Sequence, residues 1–539
     1  MLWPRLWPPP ATSASRLFRK GPTWFRVIAP NSSKAAVKPN RFADICVLAA
    51  TVTGSSLAII DATAVNVALP AIQKGFDADI TALQWVVESY ALFLGALILI
   101  GGVLGDHLGR KRLFAIGVVI FAVASAWCGL AADIPQLIIA RAVQGVGAAL
   151  VVPGSLALLS AHFSEEQRGR AIGQWASFTT LAIALGPVLG GVLVDVASWR
   201  WVFFINLPLS VFLLIVLYAG VPESRDESAA RKLDILGAIL ITLGLGGIVF
   251  GLLESSRLGF AESAVWAPLI AGIVLTGFFI LRQKMAASPM MPLALFRSRA
   301  FSGANIMTFF LYGAMSGSLF FLPFNLMQVQ GWSATLAGAA LLPLILAIAI
   351  FSLGAGQVVA RFGQRAPLVV GAGIAAIGFA LLALPGADSA YWFGFFPGLA
   401  VIGLGLGIAV APLTIVVMAA VAPNRAGLAS GVNNSASRVA MLMAVAIFGV
   451  VMFEVYSANF ETALQSVPLD PENRALIGAR MVELAGMKIP AALDQHSADL
   501  VRGAVNDSFV AGFRVIALIA AGIALLSAFT AAVTIPPRA

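Results

Sequence analysis

Charge is scarce in this chain: of 539 residues, 11% are Asp, Glu, Lys or Arg while 60% are hydrophobic, and the mean hydropathy is +0.93. A soluble domain carries about 25% charged residues, so a water-exposed globular surface is excluded. Cysteine is scarcer still. Cys46 and Cys128 both lie in apolar stretches, which excludes a disulfide framework and a thiolate metal site. The three histidines, His107, His162 and His496, fall in separate connecting segments without the i, i+4 spacing of a helical zinc motif, so no metal is expected. No Gly-Lys dipeptide occurs, which removes the phosphate-cradling loop of an ATP-driven pump and leaves a gradient or another subunit as the energy source. No carboxylate pair or nucleophile with its base marks an active site, so neither an enzyme nor a cofactor is expected. The formal charge of +9 does not indicate nucleic acid, because the basic residues fall in short connections rather than along one solvated face.

Long apolar runs are what the chain does have. From Ile45 to Val533 stretches of about twenty residues recur, each long enough at about 1.5 Å per residue to cross roughly 30 Å of hydrocarbon. The expected fold class is an all-α polytopic membrane protein with fourteen spans, near 43–69, 81–101, 111–130, 136–159, 170–192, 201–220, 233–253, 264–282, 302–326, 335–358, 366–385, 393–420, 433–453 and 508–533. One set of short loops, from Arg110 to Arg425, carries fifteen Lys/Arg, and the opposite set carries Lys74, Arg200 and Arg257. The positive-inside rule therefore expects both termini in the cytoplasm of a cell with the protein in its inner (cytoplasmic) membrane. The segment 454–507 then lies outside, as a soluble cap or as a flexible loop.

Residues 1–41 hold eight basic residues, no acid and three Trp, and lack the apolar core of a secretory signal. They read as a disordered basic leader or an upstream start, and their composition also fits a transit peptide. An internal repeat follows: Gly102, Gly109 and Lys111 match Gly356, Gly363 and Arg365 at a constant offset of 254. It divides the chain into a six-helix half over 42–222, two inserted helices over 223–295 and a second half over 296–539, an arrangement typical of secondary transporters.

Ionisable residues inside spans are costly and mark sites by default. Asp61, Glu88 and Arg141 all lie roughly 8–12 Å deep and can share one layer of the first half. They form either a protonatable site, with Arg141 biasing the carboxylates and a cationic substrate competing with the proton, or a static pair that pins packing. The loop Gly102, Asp106, Gly109, Arg110, Lys111 reads as a conformational turn, or as a turn with topogenic charge alone. Gly173, Gly186, Pro187, Gly190 and Gly191 suit a sliding or occluding interface, or ordinary close packing. Phe309, Phe310, Tyr312, Phe320 and Phe321 are candidates for a cavity wall, against lipid or core. Gly403, Gly405 and Gly407 follow no strand and read as packing.

These segments are similar to the major facilitator superfamily, and within it to the fourteen-span drug:proton antiporter family of the EmrB/QacA type. Asp61 to Pro70 resembles the family's first-span motif, Gly102 to Lys111 the superfamily's signature loop, Arg141 to Gly147 the fourth-span motif, and Gly173 with Gly186 to Gly191 the antiporter motif. Trp199 to Pro208 and Gly427 to Asn434 are also family-like. The resemblance implies two six-helix halves plus two inserted helices, a proton-coupling role for Arg141, and export rather than uptake. His107 in place of Arg, Ala182 in place of Gly, and Glu88 in place of a small polar residue depart from the pattern. The expected function is a proton-coupled antiporter of lipophilic, cationic or amphiphilic small molecules, with substrate, protons and the bilayer as partners and any periplasmic adaptor unidentified. The rivals are export of one endogenous metabolite and a non-transporting sensor on the same fold.

Overall fold

The structure is a computed structural model that describes residues 41–225, 234–286, 289–421 and 426–537. The leader expected over residues 1–41 falls, apart from Arg41, outside the described residues, as do Arg231, Lys232 and Arg425. Among the described residues every regular element is helical: α1 Arg41–Phe76, α2 Ile80–Leu108, α3 Arg110–Leu130, α4 Ile134–His162, α5 Glu165–Val196, α6 Trp201–Phe204, α7 Asn206–Gly220, α8 Ile235–Leu258, α9 Ser263–Met285, α10 Arg299–Phe324, α11 Ala334–Ala339, α12 Leu342–Ser352, α13 Ala355–Phe362, α14 Arg365–Leu381, α15 Tyr391–Ala419, α16 Ala426–Gln465, α17 Pro471–Ala479 and α18 Gln495–Thr534. Among the described residues thirteen spans are long and apolar enough to cross a membrane, or fourteen when α13 and α14, bent by 120°, are counted together as one.

Helix starts follow local chemistry. Asp79 and Asp133 accept hydrogen bonds from Ala82 N (2.7 Å) and Gln136 N (2.8 Å), capping α2 and α4. Glycine sets how closely helices approach: a Cβ at Gly147 would lie 2.7 Å from Phe121 N of α3, and one at Gly405 would meet the backbone of Ala375 in α14. The repeat is visible in the backbone, because Gly109 (φ +107°) and Gly363 (φ +78°) both take the left-handed region where α2 gives way to α3 and α13 to α14.

Several spans outlast their apolar stretch. α16 runs to Gln465 and α18 begins at Gln495, well before the expected 508, because the first turns of α18 bury Ser497, Val501, Ala504 and Val505 against the protein rather than against lipid. The segment between the last two spans thus shrinks to 466–494. It is an ordered cap containing α17 and a 3₁₀ turn at Met481–Gly486, not a loose loop. The expected span 335–358 is broken into α11, α12 and part of α13.

The cap defines one rim of the bundle. Gln73 Nε2 at the end of α1 donates to Glu483 O (2.9 Å), Gln328 Nε2 after α10 donates to Gln73 Oε1 (2.8 Å), and Lys488 Nζ pairs with Asp77 Oδ1 at 2.6 Å. Tyr456 of α16 donates to Leu484 O (3.3 Å). At the same rim Asp195 at the end of α5 accepts from Ala334 N (3.1 Å) and Thr335 N (2.8 Å), the two leading amides of α11. At the opposite, basic rim, Gly169 and Gly173 of α5 and Gly354 and Gly356 before and in α13 meet nothing within 4 Å among the described residues. The helices are tied to one another at the capped rim.

The α8–α9 hairpin packs against α2 and α16 through Leu92, Leu245, Val249, Leu253, Leu442 and Ala446. Asp234 fixes its basic end by accepting from Gly237 N (3.0 Å), Gln283 Nε2 (2.8 Å) and Arg282 Nε (3.2 Å). Near that end α8 diverges from α2 and leaves an apolar groove of about 420 Å³.

Candidate functional site

Asp61 is wholly buried on α1 and Arg141 is 1% exposed on α4. Gly145 lets α4 lie against the α2 backbone, since a Cβ there would sit 3.2 Å from Phe93 Cβ and closer still to Tyr90 O. The approach brings Arg141 Nε to Val86 O (3.2 Å) and Nη1 to Asp61 Oδ2 (2.5 Å). Its guanidinium lies over the Tyr90 ring, 4.3 Å from the centroid.

Three uncharged side chains complete the cluster. Gln144, one turn after Arg141, donates through Nε2 to Asp61 Oδ1 (2.8 Å) and accepts at Oε1 from Arg141 Nη1 (2.7 Å). Asn206, at the first residue of α7 where the chain breaks after α6, donates to the same Oδ1 (2.9 Å) and to Ser125 Oγ on α3 (2.9 Å). Ser125 donates in turn to Phe203 O (2.9 Å). Four helices therefore converge on one carboxylate whose two oxygens take three donors. Asp61 faces protein on every side.

A buried ion pair is held by geometry rather than by net gain, and removing one partner costs about 3–5 kcal/mol because the other charge is left uncompensated. Neutralising Asp61 with a proton removes one partner in the same sense. The arrangement can thus convert a protonation event into a preference between two packings of α1, α3, α4 and α7.

Glu88 does not join this cluster. Helical geometry places Gln84 and Gly95 within about 40° of it around α2. Gln84 Nε2 donates to Val445 O of α16 (2.8 Å) and Gly95 abuts Arg438 of α16, while Tyr90 and Phe93 on the opposite face meet α4. Glu88 lies at the α2–α16 seam, 1% exposed, with Oε2 lacking a hydrogen-bond partner among the described residues.

In the loop after α2, Asp106 pairs with Arg110 (2.7 Å). Glu223, a residue that sequence reasoning missed, accepts from Lys111 N (3.0 Å) and Arg112 N (3.3 Å), placing a carboxylate on the first amides of α3. A Cβ at Gly109 would sit 2.9 Å from that carboxylate. Gly102 lies near Pro153 of α4.

On α5, Gly186 and Gly190 face Thr63 and Ala64 of α1, whereas Gly191 meets Ala334 O and the Pro187 carbonyl meets Gly338 of α11. The stripe is sandwiched between α1 and α11. Gly173 lies apart from it, at the open rim. Among the aromatics, all on α10, Phe309 is 38% exposed and Phe310 and Tyr312 are half-buried. Phe320 and Phe321 are buried against one another and Phe324, so they belong to the core and not to a cavity wall, a correction to the expectation from spacing. Sequence reasoning also missed Gln144, Ser125 and Asn206 as members of the site. The signal for two of them was present in the Arg141–Gly147 and Trp199–Pro208 segments.

The sequence pattern of the Major Facilitator Superfamily matches residues 51–445. The chain is 34% identical over 480 residues to "Multidrug resistance protein Stp" of Mycobacterium tuberculosis (strain CDC 1551 / Oshkosh), covering 88% of each protein. It is 30% identical over 494 residues to the "Tetracenomycin C resistance and export protein" of Streptomyces glaucescens, covering 90% of this chain and 91% of that one. In fold it is similar to a bacterial homologue of the human lysosomal transporter Spinster, with a TM-score of 0.61, 17% identity, and coverage of 92% of this chain and 98% of the other. With the buried charge cluster, the two six-helix halves and the two inserted helices, these matches place the chain: it belongs to the major facilitator superfamily.

Proposed function

We propose that this protein is a proton-coupled antiporter that exports lipophilic, cationic or amphiphilic small molecules, and that Asp61 carries the proton. The observation that carries the reading is the buried Asp61–Arg141 pair with its Gln144 and Asn206 donors, a charge cluster at membrane depth that a static scaffold has no need of. The resistance and export names of its relatives support the efflux direction. Protonation of Asp61 releases Arg141 and favours a second packing, and substrate leaves as the halves rock about the midplane. Since Asp61 is enclosed by protein, substrate and proton compete through conformation rather than by contact at one carboxylate. Glu88, buried at the seam, is a second acid on this path.

The basic rim faces the cytoplasm, with both termini, in the inner (cytoplasmic) membrane, and the capped rim faces outward. The ties at the capped rim then correspond to a state closed on its outer side. Halves meet through the Gly191–Ala334 contact, and the Asp106, Arg110 and Glu223 group is the conformational turn at the inner rim. The halves are 42–222 and 296–539, with 223–295 inserted between them.

Everted vesicles holding the protein and a pH gradient, challenged with a panel of lipophilic cations, neutral drugs and metabolites, test this. Several unrelated compounds should dissipate the gradient with wild type and none with Asp61→Asn of equal abundance. Dissipation that persists in Asp61→Asn would remove Asp61 from coupling, and a response to a single metabolite would favour the narrow exporter.

A further inference from the structure

Arg438 lies in the membrane-spanning part of α16, on the same helix face as Asn434, and is half-buried. Its guanidinium makes no hydrogen bond or ion pair among the described residues, and neither does the hydroxyl of Tyr312. Tyr312 of α10 lies alongside Arg438: Asn433 Nδ2 donates to Thr308 Oγ1 (2.7 Å) one turn before Tyr312, and a Cβ at Gly313 would stand 3.6 Å from Ala440 O of α16. Gly95 of α2 makes room beside it, because a Cβ at that position would stand 3.2 Å from Arg438 Cβ. Glu88, two turns earlier on the same face of α2, forms no ion pair with it among the described residues, and its Oε2 has no hydrogen-bond partner there. An unpaired cation thus sits where the two halves meet.

Such a group within a membrane costs roughly 2.5 kcal/mol or more and persists when it faces a water-filled space or awaits a partner. Arginine offers five donors and no acceptor, so its complement is an anion, and its planar fork matches a carboxylate. The unpaired Tyr312 hydroxyl adds a neutral donor from the second half. We infer that Arg438 and Tyr312 form a subsite for the acidic group of an amphiphilic substrate, with Arg438 repelling permanent cations from the same place.

The inference rests on the exporter reading above and narrows its amphiphilic class to acids.

Three probes with one apolar body and charges of −1, 0 and +1 test it: 1-pyrenebutyrate, its methyl ester, and the corresponding pyrenylbutyl trimethylammonium. Equilibrium binding to the purified full-length protein in detergent, read by pyrene fluorescence, requires no proton coupling, so its outcome is separable from that of the vesicle experiment. Wild type should bind the acid at least tenfold more tightly than the ester, and the trimethylammonium most weakly. Arg438→Gln should lose about tenfold for the acid and leave the ester unchanged, which also reports that the variant is folded, and Arg438→Lys should restore part of the loss. Acid and ester binding alike to wild type, no binding of any probe, or an equal loss for all three in Arg438→Gln would overturn the subsite. Should Arg438→Gln fail to fold, the preference of wild type for acid over ester and the same comparison in Tyr312→Phe, expected to weaken the acid alone by a few-fold, decide the matter.

Discussion

Asp61 takes hydrogen bonds from Arg141, Gln144 and Asn206, the first two one turn apart on α4 and the third at the start of α7. A hydrogen bond to a charged group contributes about 1.5–3 kcal/mol. Asn206→Ala removes one such bond to Asp61 and one to Ser125 while keeping the ion pair, so exchange should slow by roughly tenfold or more with the protein still folded. Initial rates of substrate-driven gradient dissipation check this, and an unchanged rate would show that Asn206 is a bystander. Asp61 and Arg141 were legible because a charge inside an apolar run stands out. Gln144, Ser125 and Asn206 were not, since uncharged polar residues are common in spans and only their convergence gives them meaning. Glu88 was legible in depth but not in azimuth: hydropathy fixes how far a residue lies from a span's end, and the packing of α16 against α2 decides which way it faces. Arg438 bears the same signal as Arg141, yet it follows the polar run Asn433-Asn434-Ser435, which makes it look like the margin of a span.

At the scale of elements, apolar run length located the thirteen or fourteen candidate spans, but it stops at the hydrocarbon edge and helices do not. The extensions of α16 and α18 and the ordered cap between them came from tertiary burial outside the membrane, to which hydropathy is blind. Within the cap, burial pushes the Glu483 carboxyl above its ordinary range, against the pull of the Lys488 amide and Arg480, whereas the Lys488 partner holds Asp77 below its own. The signs differ. A raised folded-state value means that docking of the cap is favoured while Glu483 is protonated and weakens as pH rises from about 4.5, the usual glutamate value, through the raised one. Asp77 stays ionised throughout that window and loses its contribution only at lower pH, below its usual 3.8. Amides of residues 477–487, corrected for intrinsic exchange, should therefore be better protected from hydrogen exchange at pH 5 than at pH 8, and Glu483→Gln should flatten the difference. Equal protection at both pH values in wild type would contradict the assignment.

Across the whole molecule, the offset of 254 residues read from Gly102, Gly109 and Lys111 reappears as matching left-handed glycines at Gly109 and Gly363, so the short sequence repeat corresponds to a repeated turn in the backbone. Which rim is closed was not legible, because it depends on contacts between distant residues such as Asp195 with the α11 amides and Gln73 with both Gln328 and Glu483. Asp61 is sealed by a satisfied ion pair, and its exposure would require movement of the helices that supply the donors. On the proposed antiport reading, substrate binding and protonation are linked through one conformational equilibrium, and each must weaken the other by the same factor. That reciprocity is measured most directly by adding an exported substrate to detergent-solubilised protein in weakly buffered solution and following proton release with a pH dye. Wild type should release protons on substrate addition and Asp61→Asn, binding the same substrate, should release none; release of equal size from Asp61→Asn would contradict the account.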